Sequence, residues 1–297
     1  MKFKRLAFIH IEKCGGSTLI HMLRSSFGIY HCDIISKEYG NQLVSKSDFD
    51  RVFKLCPSTV SLAGHSIRLY HNKDIKQDKR TGFYTILREP VSRYLSDFKH
   101  FGPCFSSVKN IEGWLKVDAR KNFMTRSIAG EPNLNKAIDI IHKNIVLIGI
   151  MEFYDEFINQ LRLLFYPNLL TIRYDVRNQE GKRYEGFLHG MYEKIAKIRA
   201  NVNVDFMFDY NRYEEIIIKN NELDIKLYNH VKTKIIPEQQ KKFKQLADEL
   251  GQHKLRHPDK SSLMIKFIMN RAFRNIVYKP SLGLYPVPYK LELYKNV

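Results

Sequence analysis

The stretch Phe8–Leu23, FIHIEKCGGSTLIHML, runs an apolar, β-branched segment straight into a turn of Lys13-Cys14-Gly15-Gly16-Ser17-Thr18. LAFIHI (Leu6–Ile11) has the pattern of a buried strand. Beyond the turn, Leu19, Ile20, Leu23 and Phe27 recur at helical spacing, and Gly28 stands where a C-cap belongs. The glycine pair permits a tight turn and lets backbone N–H groups approach an anion. A helix opening at Ser17 or Thr18 adds the partial positive charge of its N-terminus, and Lys13 adds a full one. A plain tight turn is the alternative.

Four more runs read as buried strands: TVSLAG (Thr59–Gly64), FYTILR (Phe83–Arg88), IVLIGI (Ile145–Ile150) and LLTIRY (Leu169–Tyr174). Helical patterns lie between them, one with Pro90 at its first position and another over MEFYDEFINQLRLLF. Strands alternating with helices predict an α/β fold, a P-loop-like parallel sheet of about five strands flanked by helices. After about Asn178 the chain turns charged and helical, as in NNELDIKLYNHVKTKII and a helix opened by Pro237. The expected organisation is one α/β domain over residues 1–250. Residues 251–297 add a C-terminal helix and an extended, proline-bearing arm from Pro280.

Ligands of parallel sheets bind outside the carboxyl ends of the strands. Three expected strands end in chemically capable residues: Lys13 to Thr18, Gly64-His65-Ser66, and Arg88-Glu89-Pro90 followed by Arg93 and Ser96. A Walker loop requires GxxxxGK[ST]; here the lysine precedes the glycines. Arg88 and Ser96 together can hold a second phosphate, or Arg88 can pair with Glu89 or Asp97. His65 has an ordinary pKa of about 6.5, which suits a general base, although a structural role is open to any histidine. His10 reads as a core or supporting residue.

The chain has 297 residues, 44% of them apolar, enough for one large domain. Lys and Arg number 49 against 31 for Asp and Glu, a net charge of +18. That surplus favours acidic partners, or else serves solubility. The cysteines Cys14, Cys32, Cys56 and Cys104 have neither metal-ligand nor disulfide-scaffold spacing, which fits a reducing cytoplasm and no metal site. No apolar run approaches membrane-spanning length.

The turn FIHIEKCGGSTL resembles the 5′-phosphosulfate loop of carbohydrate sulfotransferases, which use 3′-phosphoadenosine 5′-phosphosulfate (PAPS), and LREPVSRYLSDFKH resembles their 3′-phosphate loop. The chain is most similar to heparan sulfate 6-O-sulfotransferases, through NFMTRSIAG, VLIGIMEFYDEFINQLRLLF and NNELDIKLYNHVK, over roughly residues 5–250. The resemblance implies that Lys13 contacts the bridging oxygen of the leaving phosphate. Cys14, Gly15, Gly16, Ser17 and Thr18 would line the 5′ loop, and Arg88 with Ser96 would hold the 3′-phosphate. His65 would activate the acceptor hydroxyl, with no metal needed. Glu12 stands where proline is common, Cys14 for threonine and Glu89 for aspartate. The relatives carry an N-terminal membrane anchor; this chain begins at its first strand and reads as a soluble form.

The acceptor would be a carbohydrate, possibly polyanionic, with Glu12, Trp114, Asn122 and Arg126 as candidate contacts and Glu12 as a rival base. Trp114 fits equally as a buried residue of a surface helix. The Arg173–Arg183 loop is a candidate for the adenine. LMIKFIMNRAFRNIV (Leu263–Val277) sets Lys266, Asn270 and Arg274 on one face. It is expected to pack on the domain, with peripheral contact to an anionic membrane as the alternative. A P-loop kinase of a nucleotide or sugar is the competing enzyme reading. A basic nucleic-acid-binding module is the competing non-enzyme reading, which net charge alone supports.

Overall fold

A computed structural model of the chain describes residues 3–37, 43–71, 74, 78–102, 110–168, 170–171, 210–250 and 260–283. At its centre is a sheet of five parallel strands in the order β2-β3-β1-β4-β5. The strands are β1 (Arg5–Ile9), β2 (His31–Asp33), β3 (Ser61–Gly64), β4 (Thr81–Leu87) and β5 (Ile145–Ile150). β1, the middle strand, pairs with β3 on one side (Ile9 opposite Gly64) and with β4 on the other (Ile9 opposite Thr85). Strand order reverses beside β1, and parallel sheets place ligand crevices at such a point.

Four of the five expected strands are present, Ile145–Ile150 with the expected bounds and the others with ends shifted by at most two residues. The fifth is β2, a three-residue strand that is all buried. Of the expected strand Leu169–Tyr174, only Leu170 and Thr171 are described, and neither is in a strand. β2 gave no apolar signal because its polar side chains are satisfied within the fold. His31 Nδ1 lies 2.8 Å from Ser61 Oγ, His31 Nε2 lies 3.2 Å from Asp33 Oδ1, and Arg24 pairs with Asp33 at 2.7 Å. Burial alone would raise the Asp33 pKa, but the His31 bond and the Arg24 and Arg274 charges outweigh it and hold the carboxyl below its ordinary range.

The helices are α1 (Gly16–Phe27), α2 (Lys46–Leu55), α3 (Pro90–Phe101), α4 (Ile111–Leu115), α5 (Phe123–Ala129), α6 (Leu134–Asn144) and α7 (Tyr154–Phe165). They are followed by α8 (Tyr210–Asn220), α9 (Glu222–His230), α10 (Ile236–Leu250) and α11 (Lys260–Ala272). Gly28 caps α1 at φ 56°, and Pro90 opens α3 with Glu89 accepting from the N–H groups of Val91 and Ser92. Pro237 is the second residue of α10, which follows α9 without a break. A π-helical turn, Val231–Ile235, joins α9 to α10 and widens the backbone just where proline supplies no N–H.

Helix α11 packs along α1 with a mixed face inward. Asn270 is buried, and its Nδ2 donates to the carbonyls of Gly28 and His31, both at 2.8 Å. Arg274 lies 3.8 Å from Asp33, and the hydroxyl of Tyr278 bonds both backbone groups of Ile35. Pro280, expected to begin the arm, sits in a helical turn, Lys279–Ser281. The arm beyond Gly283 lies outside the described residues, as does Cys104. Among the described residues no helix is long and apolar enough to cross a membrane.

Asn270→Ala would take a donor from the His31 carbonyl and the second donor from the Gly28 carbonyl, which keeps the His31 N–H, a loss of about 1–3 kcal/mol. Urea unfolding should show a loss in that range, and an unchanged midpoint would mean that Asn270 does not pin α11.

Candidate active site

Parallel pairing brings the ends of β3, β1 and β4 to one edge, and the three loops follow. His10, just past β1, donates its backbone N–H to the Gly64 carbonyl at 3.1 Å. Thr85 of β4 bonds the Ile9 carbonyl at 2.8 Å. The chain then turns through Lys13 at φ 66° and Gly15 at φ 77°, both in the left-handed region. A Cβ on Gly16 would meet the His10 ring at 2.1 Å, and one on Gly15 would meet Met151 Sδ at 2.3 Å. Glycine is therefore required twice: the imidazole fills the space under residue 16, and the backbone conformation of residue 15 excludes a side chain.

The N-terminus of α1 has no side-chain cap and no acidic residue in its first turn. Its leading N–H groups are those left unbonded within any helix, and here they open the turn beside Lys13. By contrast, α3 is already capped by Glu89, so its N-terminus is satisfied internally. Ser17 is exposed and Thr18 half-buried. Cys14 departs from expectation: its thiol faces the core, 3.6 Å from the Glu12 carbonyl and 4.0 Å from Met124 Sδ. Burial pushes its pKa up to about 12, so only the backbone of residue 14 serves the loop.

Lys13 and Arg88 lie at this turn, and Arg68 lies on the side of His10 and His65. Lys13 is half-buried; burial lowers its pKa, Asp97 opposes that shift, and Arg88 reinforces it. Arg88 donates to the Lys13 carbonyl at 3.3 Å and so braces the loop from β4. Among the described residues it pairs with neither Glu89 nor Asp97. The sequence reading missed Arg68, whose guanidinium donates to the Ile67 carbonyl at 3.0 Å. Burial lowers the Arg68 pKa. Its place three residues after His65 was the available signal. Among the described residues none of the three forms an ion pair.

The carboxylates nearby are taken up by other arginines. Glu12 pairs with Arg120 at 2.9 Å, and Arg120 also reaches Asp97 at 3.6 Å. Asp97 pairs with Arg93 at 3.2 Å, both fully buried. Glu12 thus sits in a supporting network. Arg93, read from the sequence with the third loop, is fully buried and belongs with Arg120 to this network.

His65 follows β3. Its Nδ1 lies 3.2 Å from the His10 carbonyl oxygen, which only accepts, so Nδ1 carries the proton and Nε2 holds the lone pair. The ring stacks on His10 at 3.8 Å between centroids and is otherwise exposed. Burial lowers the His65 pKa, opposed by Glu12 and reinforced by Arg68. Burial lowers that of His10 much further, aided by His65 and Arg68. Both imidazoles are neutral at neutral pH.

Of the other candidates, Ser96 is half-buried on α3. Trp114 is fully buried among Tyr94, Phe98, Ile111, Leu115 and Ile217, so packing replaces the proposed acceptor contact. Asn122, at φ 48°, accepts from the N–H groups of Leu223 and Asp224 and so joins α5 to α9. That role replaces its proposed acceptor contact. Arg126 Nε donates to the Lys121 carbonyl at 3.1 Å. The Arg173–Arg183 loop lies outside the described residues. Among the described residues no three His, Cys, Asp or Glu side chains are gathered as metal ligands. No protein-family model and no curated protein matches the chain.

A histidine whose folded pKa is depressed binds its proton more readily unfolded. Folding stability is therefore full above the unfolded pKa of about 6.5 and is lost as pH falls through it, by up to about 1.4 kcal/mol per pH unit for buried His10 and by less for His65, whose outer side solvent screens. Urea unfolding between about pH 7.5 and 5.5 should show stability falling with acid, and a shallower fall in His65→Ala. Stability that is flat or rises over that window would contradict neutral, crowded imidazoles.

Proposed function

We propose that the chain is a PAPS-dependent transferase that moves a sulfuryl group onto a carbohydrate hydroxyl. The observation that carries this reading is the cradle itself. Lys13 and Arg88, neither in an ion pair among the described residues, lie at an uncapped helix N-terminus, and His65, with Arg68 close by, is neutral and offers Nε2. Such a site asks for a ligand bearing more than one anionic group and for chemistry that begins with proton removal. The resemblance of both loops to the phosphosulfate and 3′-phosphate loops of carbohydrate sulfotransferases gives that ligand an identity.

In this reading the first-turn amides of α1, with Ser17 and Thr18, hold the 5′-phosphosulfate, and Arg88 with Ser96 holds the 3′-phosphate. His65 Nε2 takes the proton from the acceptor hydroxyl as its oxygen bonds to sulfur. The bond from sulfur to the phosphate oxygen breaks in line, and its electron pair leaves on that oxygen. Lys13 stabilises the charge that develops there. The products are the sulfated sugar and 3′,5′-ADP. The surplus of 49 basic over 31 acidic residues favours a polyanionic acceptor.

Calorimetry should find 3′,5′-ADP bound far more tightly than 5′-AMP. A charge-assisted hydrogen bond is worth about 1.5–3 kcal/mol, so Arg88→Ala should weaken 3′,5′-ADP by about tenfold or more. Equal affinities for the two nucleotides in the native protein would end the assignment.

His65 acts neutral, and burial lowers its pKa. With PAPS and a glycan panel, kcat/KM should therefore rise with pH through an apparent pKa below the ordinary 6.5 and level off above it. His65→Ala should lose about 10²–10⁴-fold in kcat and keep its affinity for 3′,5′-ADP. Near-native kcat in that variant, together with a loss in Glu12→Gln, would transfer the role to Glu12.

A further inference from the structure

Helix α11 and the turn after it present a mixed face to the body, with Phe267 against His21 and Phe273 on the core, and leave an apolar face outward. Asn270 and Arg274 face the body, while Met264, Ile265, Ile268, Met269, Ile276 and Val277 face outward. Met264 is 67% exposed and Ile276 73%. Positions 264, 268 and 276 fall on one stripe at multiples of four, with 265 and 269 beside it. The bonds of Asn270 and Tyr278 fix this orientation, so the helix cannot roll its apolar side inward without breaking them. Isolated exposed apolar residues need no explanation, but a continuous stripe does.

The rim decides what covers the stripe. From Lys260 to Gly283 the sequence holds five cations and no acidic residue; Lys266 and Arg274 share the body-facing side with Asn270, which leaves Arg271 and Lys279 for the rim. Arg24 of α1 lies close enough to Lys279, with Arg274, to lower its pKa beyond the effect of burial. A convex aliphatic ridge edged with cations matches the boundary of an anionic bilayer, where side chains enter the acyl region and cations meet headgroup phosphates. A second copy is disfavoured, because two-fold pairing of the stripe would bring like charges together at both rims.

We propose that α11 and the turn to Val277 form a peripheral docking face for an anionic lipid surface, pinned to the enzyme body through Asn270 and Tyr278. The full chain should float with vesicles of phosphatidylcholine and phosphatidylglycerol, and much less with phosphatidylcholine alone. Ile268→Asp combined with Ile276→Asp should cut partitioning by about tenfold or more, because each removes apolar area and adds a charge the lipid repels. The melting temperature should be unchanged, since both sites are exposed; if it falls, Met264→Asp provides the same test. Arg271→Glu with Lys279→Glu should abolish the preference for anionic vesicles. Absence of vesicle binding by the native chain would overturn the proposal, as would binding indifferent to the Ile→Asp pair. A dimer that the Ile→Asp pair dissolves, with no vesicle binding, would assign the stripe to a second copy instead.

Discussion

Hydrogen bonding of β1 to a parallel neighbour on each side fixes where the chain leaves the sheet, and the site depends on that point. Ile9 is set against Gly64 and Thr85, and His10 N–H against the Gly64 carbonyl. A slip of one residue would send His10 to the opposite face of the sheet. The imidazole would then no longer fill the space below Gly16 or stack on His65. The turn at Lys13, the approach of Arg88 to its carbonyl and the tautomer of His65 all rest on the same register.

Behind the turn, the charges fall into two sets. Glu12, Arg120, Asp97 and Arg93 neutralise one another in a chain of contacts running from the loop into α3. Burial raises the Asp97 pKa, while Arg93 and Arg120 hold it down. Breaking one partner out of a fully buried pair such as Arg93–Asp97 costs about 3–5 kcal/mol, so the network is stiff although its net contribution to stability is small. The arginine rings the network with aromatic faces as well: Arg120 lies over Phe101, Trp114 and Phe123, and Arg93 over Phe123. With those acids committed, Lys13, Arg68 and Arg88 form no direct ion pair among the described residues, although Asp97 and Glu12 lie near enough to act on Lys13. Cations held in place before a ligand arrives need no reorganisation when charge develops.

The sheet and the loop residues were legible in the sequence because both follow simple periods. Apolar runs marked four strands, and polar residues at three of their ends marked Lys13, His65 and Arg88. What failed had no such signal. β2 is HCD, whose buried polar groups answer one another only in three dimensions. For Trp114 the buried alternative holds, and the left-handed backbone at Asn122 could not be read from residue type. Cys14 was assigned by its place in a motif, whereas side-chain direction at that position is set by the turn. For Leu263–Val277 the polar stripe was visible, but which stripe faces the body depends on the carbonyls of Gly28 and His31 that Asn270 finds there.

His10 ties the fold to the chemistry. Its ring edge supports the glycine turn, its ring face supports His65, and its carbonyl fixes the His65 proton on Nδ1. Burial keeps both imidazoles neutral, and Arg68 reinforces this. Arg68, one of the cations that would attract an anion, therefore also helps keep the base unprotonated before the anion binds. A multiply charged anion resting on Lys13 and Arg68 acts in the opposite sense and raises the affinity of Nε2 for a proton. His65 would then be ready as a neutral base in the free protein and become a stronger one in the complex, at the moment when a hydroxyl proton must be accepted.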